Sequence, residues 1–191
     1  MDGGTRGFWA LVLLLLGASL YFGVNAQAQR SAMSSARAAL ADGDSVTLVQ
    51  VVDGDTLLVR NPLGEPLSIR LVGVKSFPLT KEAPEVFRAG REAVTQLERL
   101  IGERGAVVSL HSTPRDSHGR FLAYLSVEGQ DLGLELVKSG AVLAYTLYPF
   151  DRRDLYVGAQ ELARSRRVGL WQSEALVRRA DGLLQNWRMK E

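Results

Sequence analysis

Between Gln50 and Val74 the chain reads Q-V-V-D-G-D-T-L-L-V-R, a turn, and then L-S-I-R-L-V-G-V, and no other stretch narrows the fold as much. Alternating apolar and β-branched residues on either side of turn chemistry call for paired strands. Asp53 and Asp55 stand at i, i+2, so on a strand both carboxylates leave one face. The glycine between them signals a bulge or a close backbone approach. Asn61-Pro62-Leu63-Gly64 turns the chain back into a second apolar strand whose only charge is Arg70, which brings an acid and a guanidinium within reach on neighbouring strands. Such a pair suits a phosphate or a cation.

The rest of the chain has length for one domain with a core: 191 residues, 46% of them hydrophobic. Strands are expected near 46 to 52, 55 to 60 and 67 to 74. Pro84 opens a helix in which Val86, Ala89, Ala93, Val94, Leu97, Leu100 and Ile101 recur at helical spacing until Gly102. Two strands follow, 106 to 112 and 120 to 127, around a turn from Thr113 to Gly119. Asp131 is placed to cap a short helix closed by Gly140. A helix over about 151 to 167 turns Leu155, Ala159, Leu162 and Ala163 inward. The tail 173–191, with Leu176, Val177, Leu183, Leu184 and Trp187, predicts an amphipathic helix that packs on the domain, with a membrane-surface role as the alternative.

Four blocks taken together, V-V-D-G-D-T, I-R-L-V-G-V, D-S-H-G-R leading into F-L-A-Y at Asp116 to Tyr124, and R-V-G-L-W at 167 to 171, resemble the staphylococcal nuclease (thermonuclease) family over roughly residues 45 to 172. The resemblance implies an α+β domain, a five-stranded OB-fold β-barrel with three packed helices. It also implies a phosphodiesterase site. In the family, the second acid of D-G-D and an acid directly after the R-L-x-G-V strand hold calcium, a glutamate three residues further on assists the attacking water, and two arginines grip the phosphate. Carried over by position, Asp55 is the metal acid, Arg70 and Arg120 are the phosphate arginines, and Tyr145 stands beside the phosphate pocket.

Two members of that set are replaced. Lys75 stands where the second metal acid belongs and Pro78 where the glutamate belongs; a charged lysine cannot ligate calcium and proline has no carboxylate. Further along, Glu82-Ala83-Pro84-Glu85 imitates the missing motif, so an insertion would make Glu82 the metal ligand and Glu85 the catalytic residue. The expectation is a degraded catalytic set that binds nucleic acid or nucleotide phosphate through Arg70, Arg120, Tyr145 and Lys75, holds calcium only weakly and hydrolyses little or nothing. The alternatives are an active calcium-dependent endonuclease using Glu82 and Glu85, and an OB-fold protein-interaction module at the cell envelope. His111 and His118 have neither a cysteine nor a third histidine beside them, so zinc is not expected. Nothing in the sequence calls for an oligomer.

Charge is spread unevenly. Residues 42 to 172 carry sixteen basic and seventeen acidic side chains, so the pI of about 9.1 belongs to the ends of the chain. That removes the broad basic footprint of a nonspecific nucleic-acid binder and leaves a local site as the means of binding. Residues 1–28 contain the uncharged run Phe8 to Val24 and the flank Val24-Asn25-Ala26-Gln27-Ala28, read as a cleaved signal peptide or a retained transmembrane anchor. Residues 29–44 form an Ala-, Ser- and Gln-rich linker, 45–172 the nuclease-like domain, and 173–191 the C-terminal helix. The domain is expected outside the cytoplasm, exported or membrane-anchored. If the leader is cleaved, terminal sequencing of the mature protein starts at Gln27 or Gln29; a cytosolic chain with Met1 intact would contradict export.

Overall fold

The computed structural model describes residues 40–79 and 83–190. The N-terminal apolar segment, most of the linker and Glu82 lie outside the described residues. Among the described residues no helix is long and apolar enough to cross a membrane.

Five strands close the barrel: β1 (Ser45–Asp53), β2 (Thr56–Arg60), β3 (Pro66–Leu71), β5 (Ala106–Arg115) and β6 (Phe121–Val127). β4 is the short strand Val74–Lys75. Antiparallel pairing runs β3-β2-β1-β5-β6, and a parallel pairing of β3 with β6, Ile69 opposite Phe121 through Leu71 opposite Ala123, completes the circle. The interior is filled by inward residues of every strand, among them Val51, Leu57, Val59, Ile69, Val108 and Leu125. Helix α1 (Pro84–Ile101) lays Val94, Leu97 and Ile101 over one end. Pro84 sits at its first turn, and Gly102 ends it, because proline lacks the N–H a helix start leaves unused.

Helix α2 (Leu132–Lys138) follows the two-residue strand β7 (Gln130–Asp131) and is capped by Asp131, whose side chain accepts the Leu134 amide. Strand β8 (Leu143–Ala144) pairs with β4. Helices α3 (Arg153–Ser165) and α4 (Glu174–Arg188) complete the described chain, with a 3-10 turn at Gly169–Gln172 between them. A second apolar cluster, separate from the barrel core, joins Phe77, Leu143, Leu170 and Trp171 to Leu176, Ala180, Leu184 and Trp187 of α4.

Three expectations are corrected by this geometry. The apolar run 67 to 74 is two strands, because the chain turns at Val72–Gly73, where Gly73 has φ 75° and its α-carbon abuts the Phe150 ring. A side chain there would have neither the backbone freedom nor the room. β5 continues to Arg115, so the turn before Gly119 is shorter than expected. In α3 the buried stripe is Tyr156, Gln160 and Ala163, while Leu155 and Leu162 face outward. The reason is polar: Gln160 Oε1 accepts the Ala144 amide at 2.9 Å and the Tyr156 hydroxyl donates to Asp131 at 2.8 Å. Those bonds satisfy groups that burial would otherwise orphan.

The Asp-Gly-Asp segment is also not a strand face. Asp53 ends β1, Gly54 and Asp55 form a two-residue turn, and Thr56 opens β2 opposite Asp53. Gly54 is fixed by contact, since a β-carbon there would lie 2.4 Å from Ala93 Cβ on α1 and 2.8 Å from Ser76 Cβ. Gly54→Ala therefore overpacks the junction of turn, loop and helix. It is expected to cost about 1–3 kcal/mol and to lower the melting temperature by several degrees, read by circular dichroism; an unchanged melting temperature would contradict the packing.

Candidate functional site

The turn aims Asp55 into the protein, where its side chain is 1% exposed and surrounded by donors. Oδ1 accepts from Thr56 Oγ1 at 3.1 Å and is ion-paired with Arg70 Nη1. Oδ2 accepts from the Ser76 amide at 2.8 Å and the Ser76 hydroxyl at 3.2 Å, and the Lys75 ammonium lies 3.6 Å away. Every lone-pair direction of the carboxylate is thereby engaged by the protein. Burial pushes the Asp55 carboxyl up, but Arg70, Lys75 and the donated hydrogen bonds outweigh it and hold the group below the usual carboxylate range.

Arg70 sits on β3 opposite Thr56 of β2. Its guanidinium also donates to the carbonyls of Asp55 at 3.2 Å and Val74 at 2.9 Å, so it ties turn, strand and loop together. Arg120 precedes β6; its Nε donates to Asp116 Oδ2 at 2.8 Å, Nη2 pairs with the same oxygen at 2.8 Å, and Nη1 donates to Thr56 Oγ1 at 3.3 Å. Thr56 thus links the two arginines through Asp55. Asp116 accepts the amides of His118 and Arg120, an Asx-type turn that fixes where Arg120 leaves the backbone.

Asp53 behaves differently. Burial, then the charge of Asp55 close by, push its carboxyl up to about 6. It accepts the Asp55 amide at 2.9 Å, and a proton shared between the two side chains favours the neutral form of Asp53 and the charged form of Asp55. Below about pH 6 the pair carries close to one negative charge, and near neutrality Asp53 is mostly ionised as well, at a cost set by its burial and by the Asp55 charge beside it.

Over this network opens a pocket of about 620 Å³. Arg70, Lys75, Arg115 and Arg120 line it with Asp116 as the acid among them, and His111, His118, Tyr145, Tyr148 and Phe150 complete its walls. Arg115 stacks 3.8 Å above the Phe121 ring and donates to the Gly119 carbonyl at 2.7 Å. Burial, then the neighbouring Tyr148, raise the Tyr145 hydroxyl above the ordinary tyrosine range, so it remains a neutral donor. An anion is the ligand this lining suits.

The structure brings Asp55, Arg70, Lys75, Arg120 and Tyr145 to one place. Glu85 lies elsewhere: it lines a separate cavity with Arg88, Glu92 and Ser173, and its Oε2 accepts the Ser173 hydroxyl at 2.8 Å. Pro78 adjoins the loop–helix contact through its carbonyl, which faces Gly90. Ser76, Thr56 and Arg115 were not singled out by motif. Thr56 follows directly on Asp-Gly-Asp and Ser76 on Lys75, and a search for donors flanking each acid would have found both.

Calcium wants about six to eight oxygen ligands. Among the described residues the donor set does not fit it: the Asp55 oxygens are already bonded to Thr56, Arg70 and Ser76, and Lys75 places a cation 3.6 Å from Oδ2. Among the described residues no three acids or imidazoles group closely enough to hold a metal ion.

A family model described as "Staphylococcal nuclease homologue" matches residues 68–173. The chain belongs to the staphylococcal nuclease family. It is 31% identical over 125 residues to an "Uncharacterized endonuclease" of Haemophilus influenzae, covering 65% of this chain and 64% of the relative. To "Endonuclease YhcR" of Bacillus subtilis it is 31% identical over 143 residues, 69% of this chain and 12% of the relative. To the "Thermonuclease" of Staphylococcus intermedius it is 27% identical over 131 residues, 68% of this chain and 77% of the relative. The chain thus spans less than two thirds of the length of the first two.

The raised Asp53 carboxyl sets a pH dependence. Its folded value, about 6, exceeds the ordinary 3.8, so the native state binds the extra proton and stability falls as pH rises from about 4 through 6. Asp53→Asn keeps the acceptor for the Asp55 amide and removes the charge. It is expected to stabilise the protein by roughly 1–3 kcal/mol at pH 7.5, with the gain vanishing below pH 4, measured by urea denaturation across that range. A gain independent of pH would refute the assignment.

Proposed function

We propose that this nuclease-family domain binds nucleic acid or nucleotide phosphate in the pocket above Asp55 and has lost efficient phosphodiester hydrolysis. One observation carries the reading: Lys75 approaches Asp55 at the position the family resemblance assigns to a metal acid. A lysine there neutralises the buried carboxylate without an ion and leaves its own positive charge, 44% exposed, at the pocket wall. Cleavage would still need a charge-stabilising cation and an activated water. Asp55 lacks a free oxygen for the first, and Glu85, the candidate for the second, is turned to Ser173 in another cavity.

Binding needs less. The exposed parts of Lys75, Arg120 and Arg115 supply charge, and Tyr145 supplies a neutral hydroxyl and an aromatic edge. Charge-assisted hydrogen bonds to phosphate oxygens are the strong ones. The uncharged run Phe8 to Val24 supports placing the domain outside the cytoplasm, exported or anchored.

Titration calorimetry with adenosine 5′-monophosphate or a short single strand at low salt tests the binding, alongside a phosphodiesterase assay with calcium and with chelator. Binding without turnover in either condition is expected, and calcium itself should bind in the millimolar range or weaker. Lys75→Ala should weaken phosphate binding about threefold to tenfold, near 1 kcal/mol, with the effect shrinking as salt is raised. Unchanged affinity in Lys75→Ala at low salt would overturn the role of the lysine. Micromolar calcium affinity abolished by Glu82→Gln would favour a calcium-dependent endonuclease, and no nucleotide binding at all would favour a protein-interaction module.

A further inference from the structure

Helix α4 begins at Glu174, one residue past the segment that the family model matches, so its contribution to the pocket lies outside that match. Near its end, Trp187 meets the Tyr145 ring edge-on, centroids 4.8 Å apart and planes at 81°. Tyr145 in turn meets Tyr148 at 5.8 Å and 71°, and both tyrosines line the anion pocket. Trp187 is 7% exposed and does not line the pocket itself. The same apolar cluster that holds Trp187 and Leu184 also holds Phe77, 3% exposed, two residues after Lys75. The start of α4 is anchored as well: Ser173 accepts the Leu176 amide and donates to Glu85 on α1.

We infer that Trp187 is a positioning residue of the anion pocket: through α4 it sets the Tyr145 ring and, with Phe77, the loop that presents Lys75 and Ser76 to Asp55. The inference rests on the proposed anion site for its effect on affinity, but not for its effect on Tyr145. In a metal-organised site the ion draws its ligand loop into place. Here Phe77 is buried in the apolar cluster that includes α4, and exclusion of that apolar surface from water pins the loop. An edge-to-face aromatic pair adds orientation that an aliphatic contact would not. Tyr145 is also tied at its backbone, its amide donating to the Gly73 carbonyl at 2.8 Å, so the ring is the part left for Trp187 to fix.

The test uses the full chain and three variants, Trp187→Ala, Trp187→Phe and Leu176→Ala. Leu176 is 8% exposed in the same cluster but lies eleven residues earlier on the helix, about 16 Å along its axis. It therefore controls for loss of helix packing alone. Chains labelled with 3-fluorotyrosine give a Tyr145 resonance by ¹⁹F NMR, assigned through Tyr145→Phe and readable without ligand. The inference expects that resonance to shift and broaden in Trp187→Ala, to stay in place in Leu176→Ala, and to return towards its original position in Trp187→Phe. Affinity for adenosine 5′-monophosphate should fall about fivefold or more in Trp187→Ala, recover in Trp187→Phe, and hold in Leu176→Ala at matched fraction folded. A Tyr145 resonance unmoved by Trp187→Ala, or moved equally by Leu176→Ala, overturns the inference. If the unmodified chain binds no nucleotide, the proposed function fails while the resonance still decides the role of Trp187.

Discussion

Everything about this site follows from one buried carboxylate whose every oxygen lone pair is already spoken for. Asp55 is held by Thr56, Arg70, Ser76 and Lys75, partners that come from the start of β2, from β3 and from the end of β4 with the loop after it. Breaking such a buried pair by removing one partner leaves an uncompensated charge, which is far more costly than the pair was worth. The turn, β3 and the loop after β4 are therefore locked to one another by the same group. The Lys75 ammonium stands 3.6 Å from that carboxylate, on the side where Ser76 donates to it.

The strands and the helix after the third were legible in the sequence because the period of two, the turn residues at Asn61 to Gly64 and the helix punctuation at Pro84 and Gly102 are local signals, while the closed barrel was legible only through the family resemblance of the four motif blocks. What was not legible was polar and long-range. Gln160 is not among the residues expected to turn inward, yet it does so because its side chain accepts the buried Ala144 amide. Asp53 and Asp55 read as equals at i, i+2, yet Asp53 ends a strand and Asp55 lies in the turn, and their surroundings raise the carboxyl of the first and lower that of the second. The substitution at Lys75 was visible in the sequence, whereas the occupancy of Asp55 by Ser76 depends on where the loop is pinned, and that is decided by Phe77 and a helix about a hundred residues away.

The two apolar clusters divide the labour. The first fills the barrel and gives the domain its shape; the second, built on α4 and the 3-10 turn before it, lies under the loop and under Tyr145. Charged groups alone would not hold the pocket open in a fixed form, since Arg120 and Lys75 are long and partly exposed and such side chains lose much rotamer freedom when fixed. Rigid aromatic neighbours and hydrogen-bonded carboxylates set the ends of those chains, and the pocket is preorganised to that extent.

The parallel seam between β3 and β6 has a kinetic consequence. Strands about fifty residues apart in sequence must meet to close the barrel, and contacts of that separation pay loop-closure entropy early and are rewarded late. Arg70 is paired with Leu122 across the seam, and Arg120 stands at its entrance. The pocket thus comes into being only when the seam zips, after the local hairpins have formed. An anion that fits it acts on the finished barrel, so it slows the opening of the circle and leaves the rate of its closing almost untouched.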